Sequence, residues 1–204
     1  MKRTKKINLD AMRKRKRLTP TILAASISMI LVGCSDIQNG KIYKTVNQCI
    51  NENPSHAEAC ETAYQAALSE AERSGPKYRS ISDCAVDFDR SQCVESRSGG
   101  VFMPLMAGFM IGRLLDNGRG YQSAPIYTSY RYGSPLYGSW HGSDGANYGR
   151  SNYHVIKTDK SAFKTKPAVT RTMSRGGFGS VAKAKASWSS SKSSFGGFRG
   201  GWGG

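Results

Sequence analysis

Apolar positions gather in three places along the chain, and each place has its own period. The first is a continuous run from Thr21 to Val32, inside the stretch Leu18 to Cys34. At about a dozen residues it is shorter than the roughly 20 that a helix needs to span a bilayer. The second is periodic. Cys60, Ala63, Tyr64, Ala67, Leu68 and Ala71 recur at three- and four-residue steps, which predicts one apolar stripe on a helix. Ser55 and Glu58 form an S-x-x-E capping box after Pro54, and Gly75-Pro76 ends the element. The third place, Val101 to Ile111, is dense in Met, Phe and Gly, and beyond Gly118 periodicity disappears.

The flanks of the first run give it a meaning. Nine Lys/Arg against one acid, Asp10, occupy the first 33 residues, and the run leaves through Leu31-Val32-Gly33-Cys34. A basic arm, a short apolar core and a small-residue exit make a secretory signal. Its last four residues resemble the bacterial lipobox, in which cleavage frees a cysteine that is then acylated. The alternative is an uncleaved signal-anchor helix. The expectation is that residues 1–33 are a lipoprotein signal peptide and that the mature chain starts at lipid-bearing Cys34. With Ser35 rather than Asp after it, the anchor sorts to the outer membrane and the chain faces the periplasm.

After a polar tether comes an internal repeat. Tyr43-Lys44-Thr45-Val46-Asn47-Gln48-Cys49 matches Tyr78-Arg79-Ser80-Ile81-Ser82-Asp83-Cys84 in chemical type at every position. Each copy reads as an aromatic anchor, a short extended piece, an N-cap (Asn47, Ser82) and a first helical turn carrying the cysteine. Two copies are too few for a solenoid and suit a small pseudo-symmetric domain. Cys60 and Cys93 follow the copies. Four cysteines in an exported chain read as two disulfides, whereas zinc sites use closer C-x₂₋₄-C pairs. Three connectivities are open; one bridge per copy, Cys49–Cys60 and Cys84–Cys93, is the expected one. A closed loop of about 12 residues is worth roughly 3 kcal/mol in the chain-entropy model, comparable to the margin of so small a domain.

Charge separates the halves: residues 35–96 carry a net −4 and residues 97–204 a net +12. Within residues 99–120, Gly108 and Gly112 form a small-xxx-small pattern. Three readings stand: a helix packed on the disulfide module, a self-association or partner patch, or a membrane-surface segment. The patch residues would be Phe102, Met103, Met106, Gly108, Phe109 and Gly112. Residues 121–204, rich in Gly, Ser, Tyr and Lys, hold too few aliphatics to offset ordering entropy and read as disordered. Their Arg/Gly/aromatic pattern is like that of RNA binders. Export removes nucleic acid as the partner and leaves anionic envelope polymer, lipopolysaccharide or peptidoglycan. The fold class is then a small α-rich disulfide-stapled domain (34–98), an apolar segment (99–120) and a largely disordered tail (121–204).

The joint pattern resembles the YgiB-like family of enterobacterial lipoproteins. The matching motifs are Met1-Lys-Arg-Thr-Lys5, the lipobox at Cys34, Glu58-Ala-Cys60 with Thr62-Ala-Tyr64, Glu70-Ala-Glu-Arg73 and Pro76-Lys-Tyr78. Phe102 to Gly108, Gly112-Arg-Leu114 and Arg175-Gly-Gly-Phe-Gly179 complete them. The resemblance implies a loose link to biofilm formation and a ligase similar to glutathionylspermidine synthase as a neighbour. It implies no catalytic residues. The residues propose none either: His56, His141 and His154 are scattered, and Glu70/Glu72 and Asp87/Asp89 read as solvated faces. No metal site or cofactor is expected. The function expected is non-enzymatic, binding or organising envelope components. The alternative is an accessory subunit of a membrane complex or of that ligase pathway, docking through residues 101–115.

Overall fold

The structure, a computed structural model, describes residues 37–112 and 122–193. Strand β1 (Ile37–Tyr43) leads into α1 (Val46–Glu52), a 3₁₀ turn (Pro54–His56) and the long helix α2 (Ala57–Ser74). The second copy of the repeat follows as α3 (Ile81–Asp87), a 3₁₀ turn (Arg90–Gln92) and the hairpin β2 (Cys93–Glu95) with β3 (Phe102–Pro104). Then come β4 (Gly108–Ile111), β5 (Ser123–Tyr127), β6 (Ser139–Gly142), β7 (Asn147–Arg150) and β8 (Val155–Asp159). A 3₁₀ turn (Lys160–Phe163) and helix α4 (Gly177–Ser193) complete the described chain.

Six strands form one antiparallel sheet in the order β7-β6-β5-β4-β1-β8. Its two end strands approach each other, so the sheet curls into a nearly closed barrel. This overturns the expected α-rich fold with a disordered tail: four of the strands and α4 come from residues beyond 121. The sequence signal failed because each of these strands carries only one or two large apolar residues. Those few suffice because the concave face is filled along the sheet and α2 covers the outer face of β4 and β5, while β7 and β8 keep an exposed face. Ile42, Met110, Ile126, Trp140 and Ile156 fill the concave side, plugged by Phe163. Tyr43, Phe109 and Ile111 meet the alanine stripe of α2 on the outer side. The stripe itself is as expected, with Cys60, Ala63, Ala67 and Ala71 buried.

The repeat survives as local structure, with its caps moved. Thr45 and Ser80, not Asn47 and Ser82, are the N-caps; their hydroxyls accept from the backbone N–H of Gln48 and Asp83. Both anchors, Tyr43 and Tyr78, are fully buried. Each hydroxyl closes on the far end of its own short helix: Tyr43 accepts from Asn53, and Tyr78 donates to Asp87. The Ser55/Glu58 box does not form, because α2 begins at Ala57 and Ser55 bonds His56 instead. The disulfides are Cys49–Cys60 and Cys84–Cys93, with Cα atoms 5.8 and 6.1 Å apart, one per copy.

Asp87 is no solvated face. It is 1% exposed, and its carboxylate accepts from Tyr78 Oη at 2.7 Å and from the N–H groups of Phe178 and Gly179 at 3.1 Å. A negative group against the first turn of α4 satisfies two otherwise orphaned donors and complements the helix dipole. Arg175-Gly-Gly-Phe-Gly179 is therefore the seat of α4. A Cβ at Gly179 would stand 2.7 Å from Asp87 Oδ1, which explains the glycine. Burial, with the neighbouring carboxylate, pushes the Tyr78 hydroxyl well above its ordinary range, so it stays a donor.

Asp87→Ala leaves three buried donors without an acceptor and should cost about 3 kcal/mol or more, whereas Tyr78→Phe should cost about 1 kcal/mol. Urea unfolding of the oxidised protein measures both. Equal stabilities for the two variants would refute the central role of Asp87.

Candidate functional site

A cavity of about 630 Å³ opens at one mouth of the barrel. Its position follows from Pro125. Pairing of β5 with β4 runs from Ser123 to Ile126, but pairing with β6 begins only at Ile126. Proline lacks the N–H that a flanking strand requires, so β5 and β6 separate at this end. Residues 122–125, Gly142, Ser143 and Tyr148 form one wall, Ala66 and Glu70 of α2 a second, and residues 162–166 a third.

The charged groups at this mouth are paired with one another. Glu70 Oε2 accepts from Arg73 at 2.6 Å, and Oε1 accepts from the Lys166 N–H at 2.9 Å. Burial pushes the Glu70 carboxyl up, but the Arg73 guanidinium and the Lys166 N–H outweigh it and hold it below its ordinary value. Asp144 lies 3.0 Å from Lys185 Nζ of α4 and 3.5 Å from Lys166 Nζ. There too burial opposes ionisation, while the Ala146 N–H and the two lysines carry the carboxyl below its ordinary value. Burial and Asp144 together raise the Tyr148 hydroxyl. Ser74 Oγ donates to Ser143 Oγ at 3.0 Å and joins α2 to the end of β6. What remains open to a ligand is a mixed surface of hydroxyls, the rings of Phe163 and Tyr148, and Lys164 at the rim. Such a surface can hold a polar group by hydrogen bonds and stacking.

The residues singled out from sequence are not brought together. Cys34 lies outside the described residues. The four other cysteines are in the two bridges, and no His/Cys/Asp/Glu group among the described residues could hold a metal. The patch of Phe102, Met103, Met106, Gly108, Phe109 and Gly112 is strand and loop rather than helix, and it belongs to the chain's own cores. Phe109 and Gly108 are buried, Met103 nearly so, and Phe102 and Met106 pack against neighbouring clusters. Gly108 is a glycine because a Cβ would stand 2.5 Å from the Tyr43 carbonyl oxygen, and Gly112 lies against the Phe163 ring. Close approach within a sheet, not between membrane helices, explains the small-xxx-small pattern. Of residues 101–112, Met103, Phe109, Met110 and Ile111 are buried, while Leu105 is 50% exposed. No helix among the described residues is long and apolar enough to cross a membrane.

Glu70, Asp144, Tyr148, Lys166 and Lys185 were not assembled from sequence, because they come from α2, the β6–β7 turn, β7, the segment after β8 and α4. His141 was read as lying in disordered sequence. It is 1% exposed on β6, and neither ring nitrogen makes a hydrogen bond of acceptable geometry. Burial lowers its pKa, with a backbone group of Gly145 opposing, so the ring is neutral in the folded protein.

These groups set the acid stability. The unfolded chain binds a proton on His141 near its ordinary value of 6.5, and the folded chain resists it. Stability should therefore begin to fall as pH drops below about 6.5. Glu70 and Asp144, whose folded values are depressed, add stability that is present above about pH 4–4.5 and lost below it. In denaturant titrations across pH 7.5 to 3, His141→Gln should flatten the first decline and Asp144→Asn the second. Unaltered profiles in both variants would contradict the assignment.

Comparison with known proteins agrees with the sequence motifs. The family model described as "Protein of unknown function (DUF1190)" matches residues 37–189. The UPF0441 protein of Pectobacterium atrosepticum is 38% identical over 95% of this chain and 96% of its own length. Those of Sodalis glossinidius and Serratia proteamaculans are 41% and 39% identical, covering 94% and 97% of this chain and 96% and 100% of their own lengths. No solved structure matches the chain. The barrel, its two stapled repeat copies and most of the helix seated on Asp87 fall in the matched region, and the chain belongs to this enterobacterial DUF1190 family.

Proposed function

We propose that the protein is a non-catalytic binding module of the cell envelope, lipid-anchored through Cys34 to the outer membrane and facing the periplasm. The observation that carries this reading is the placement of the disulfides. Each closes one copy of the repeat, and the sulfurs are buried inside the packed clusters rather than exposed at the surface. A fold with two oxidised pairs in its cores matures in an oxidising compartment, and the lipobox-like exit at Cys34 supplies the route and the anchor. The barrel mouth supports binding as the activity. Its carboxylates are each held by cations, while hydroxyls and rings face the opening. Behind an outer-membrane anchor, the components within reach are the saccharides and peptides of the wall and the anionic glycolipid surface.

Fractionation of cells tests the anchor. The wild-type protein should sediment with outer membranes, Cys34→Ala should be released from them, and Ser35→Asp should shift toward the inner membrane. A Cys34→Ala variant that is processed and still held in the outer membrane like wild type would overturn the reading.

A further inference from the structure

The connection between β5 and β6, residues 128–138, is not a slack loop. The buried side chain of Gln92 clamps it, donating to Thr128 O and accepting from Tyr130 N, both at 2.8 Å. Ser129 N donates to Leu136 O at 3.2 Å, and Leu136 is fully buried in the cluster around Tyr78 and Phe178. Ser134 Oγ donates to the Asp87 carbonyl, and Arg131 Nη1 to the Ala85 carbonyl at 2.7 Å. The segment is thus tied to α3, whose Cys84 is bridged to Cys93.

On this clamped frame the aromatic side chains point away from the core. Tyr130, Tyr132 and Tyr137 are 65%, 88% and 50% exposed, and Tyr132 meets Tyr137 edge to face with centroids 5.6 Å apart. Single exposed aromatics are ordinary. Three within eight residues, two of them already paired, form an exposed aromatic surface. Beside them lies a cavity of about 390 Å³ whose lining includes Arg131, Tyr132, Pro135, Gly176 and Lys183. Asp87 is the only carboxylate in that lining, and its oxygens are taken by Tyr78, Phe178 and Gly179. Asp89, whose Oδ1 accepts from Ser91, lies near Arg131 and partly offsets its charge, but not that of Lys183. Among the described residues Lys183 makes no ion pair, so the cavity presents two cations with no acid left to neutralise Lys183.

We propose that this surface is a binding site for an acidic saccharide. A pyranose ring lies its C–H face on Tyr132, with Tyr137 holding that ring in place, and the carboxylate of the sugar meets Arg131 and Lys183 in the cavity. Aromatic rings give sugars contact area at small entropic cost, since Tyr has few rotors to freeze. The cations add attraction that salt screens over about 8 Å at physiological ionic strength. The site deepens the envelope-binding reading and rests on it only for the source of the glycan.

The test is a titration of the detergent-solubilised, oxidised mature protein with three probes: a glucuronate-containing octasaccharide, the neutral chitin tetramer, and polyaspartate as charge without rings. The octasaccharide should bind best. Tyr132→Ala and Lys183→Gln should each weaken it roughly tenfold, and Lys183→Gln should also lower the salt dependence. Both side chains project from the fold, so unchanged thermal unfolding should accompany the loss. Octasaccharide binding that is insensitive to Tyr132→Ala, or polyaspartate binding of equal strength, would overturn the saccharide site. Chitin binding of equal strength would overturn its acidic specificity. Because the measurement is made on purified protein, its failure is separate from a failure of the fractionation above, which concerns the anchor alone.

Discussion

One buried carboxylate holds the three parts of this fold together. Asp87 ends α3, receives the anchor tyrosine of the second repeat copy, and seats the first turn of α4. Its own carbonyl accepts from Ser134 in the β5–β6 connection. An isolated buried charge is costly. Here three donors converge on it, two of them helix N–H groups whose dipole favours a negative partner. The requirement then propagates into sequence. Gly179 must lack a side chain, Tyr78 must carry its hydroxyl, and Phe178 is drawn into stacking with Phe88 and an edge contact with Tyr127.

The two copies of the repeat solve the same local problem in different surroundings. In each, a buried tyrosine, a hydroxyl cap, a seven-residue helix and a disulfide form a unit too short to be stable as an isolated helix. The first copy stacks its parts on the barrel wall through Tyr43, Tyr64 and Phe109. The second uses the same parts to receive α4 and the tyrosine-rich connection. Substituting Asp87 for the role that Asn53 plays in the first copy turns a helix end into a docking point for a distant helix.

The sequence revealed whatever was local and periodic. The alanine stripe of α2, its end at Gly75, the pairing of cysteines within each copy and the family motifs were all legible. Strand content was not, since Ser123–Tyr127 and Ser139–Gly142 contain proline, glycine, serine and histidine in place of a β-branched alternation. Their order comes from tertiary burial on both faces, which no window of sequence reports. Gly108 to Ile111 reads as a helix or a patch for the complementary reason: all four residues are buried, so the two-residue period of a one-sided strand is absent. The barrel mouth was invisible because its walls come from α2, β5, the end of β6, β7 and the segment after β8, which lie far apart in sequence. Asp87 was misread as a solvent-facing acid because burial of a charge leaves no mark in composition.

Order in residues 122–193 changes how their charge acts. A flexible basic chain attracts any polyanion and must lose conformational freedom on each contact. Arg131 and the backbone of the β5–β6 connection are instead held by hydrogen bonds before any ligand arrives, and Lys183 is carried on the seated helix α4. Little of the interaction energy is then spent on ordering the protein, and spacing between ring and cation becomes a criterion that a partner must meet. Charge alone gives attraction that weakens with salt; charge fixed beside an aromatic face gives discrimination between a sugar acid and a mere polyanion. Asp87 ties that surface to the fold, since it seats α4, which carries Lys183, and bonds through its own carbonyl the connection that carries Arg131 and Tyr132.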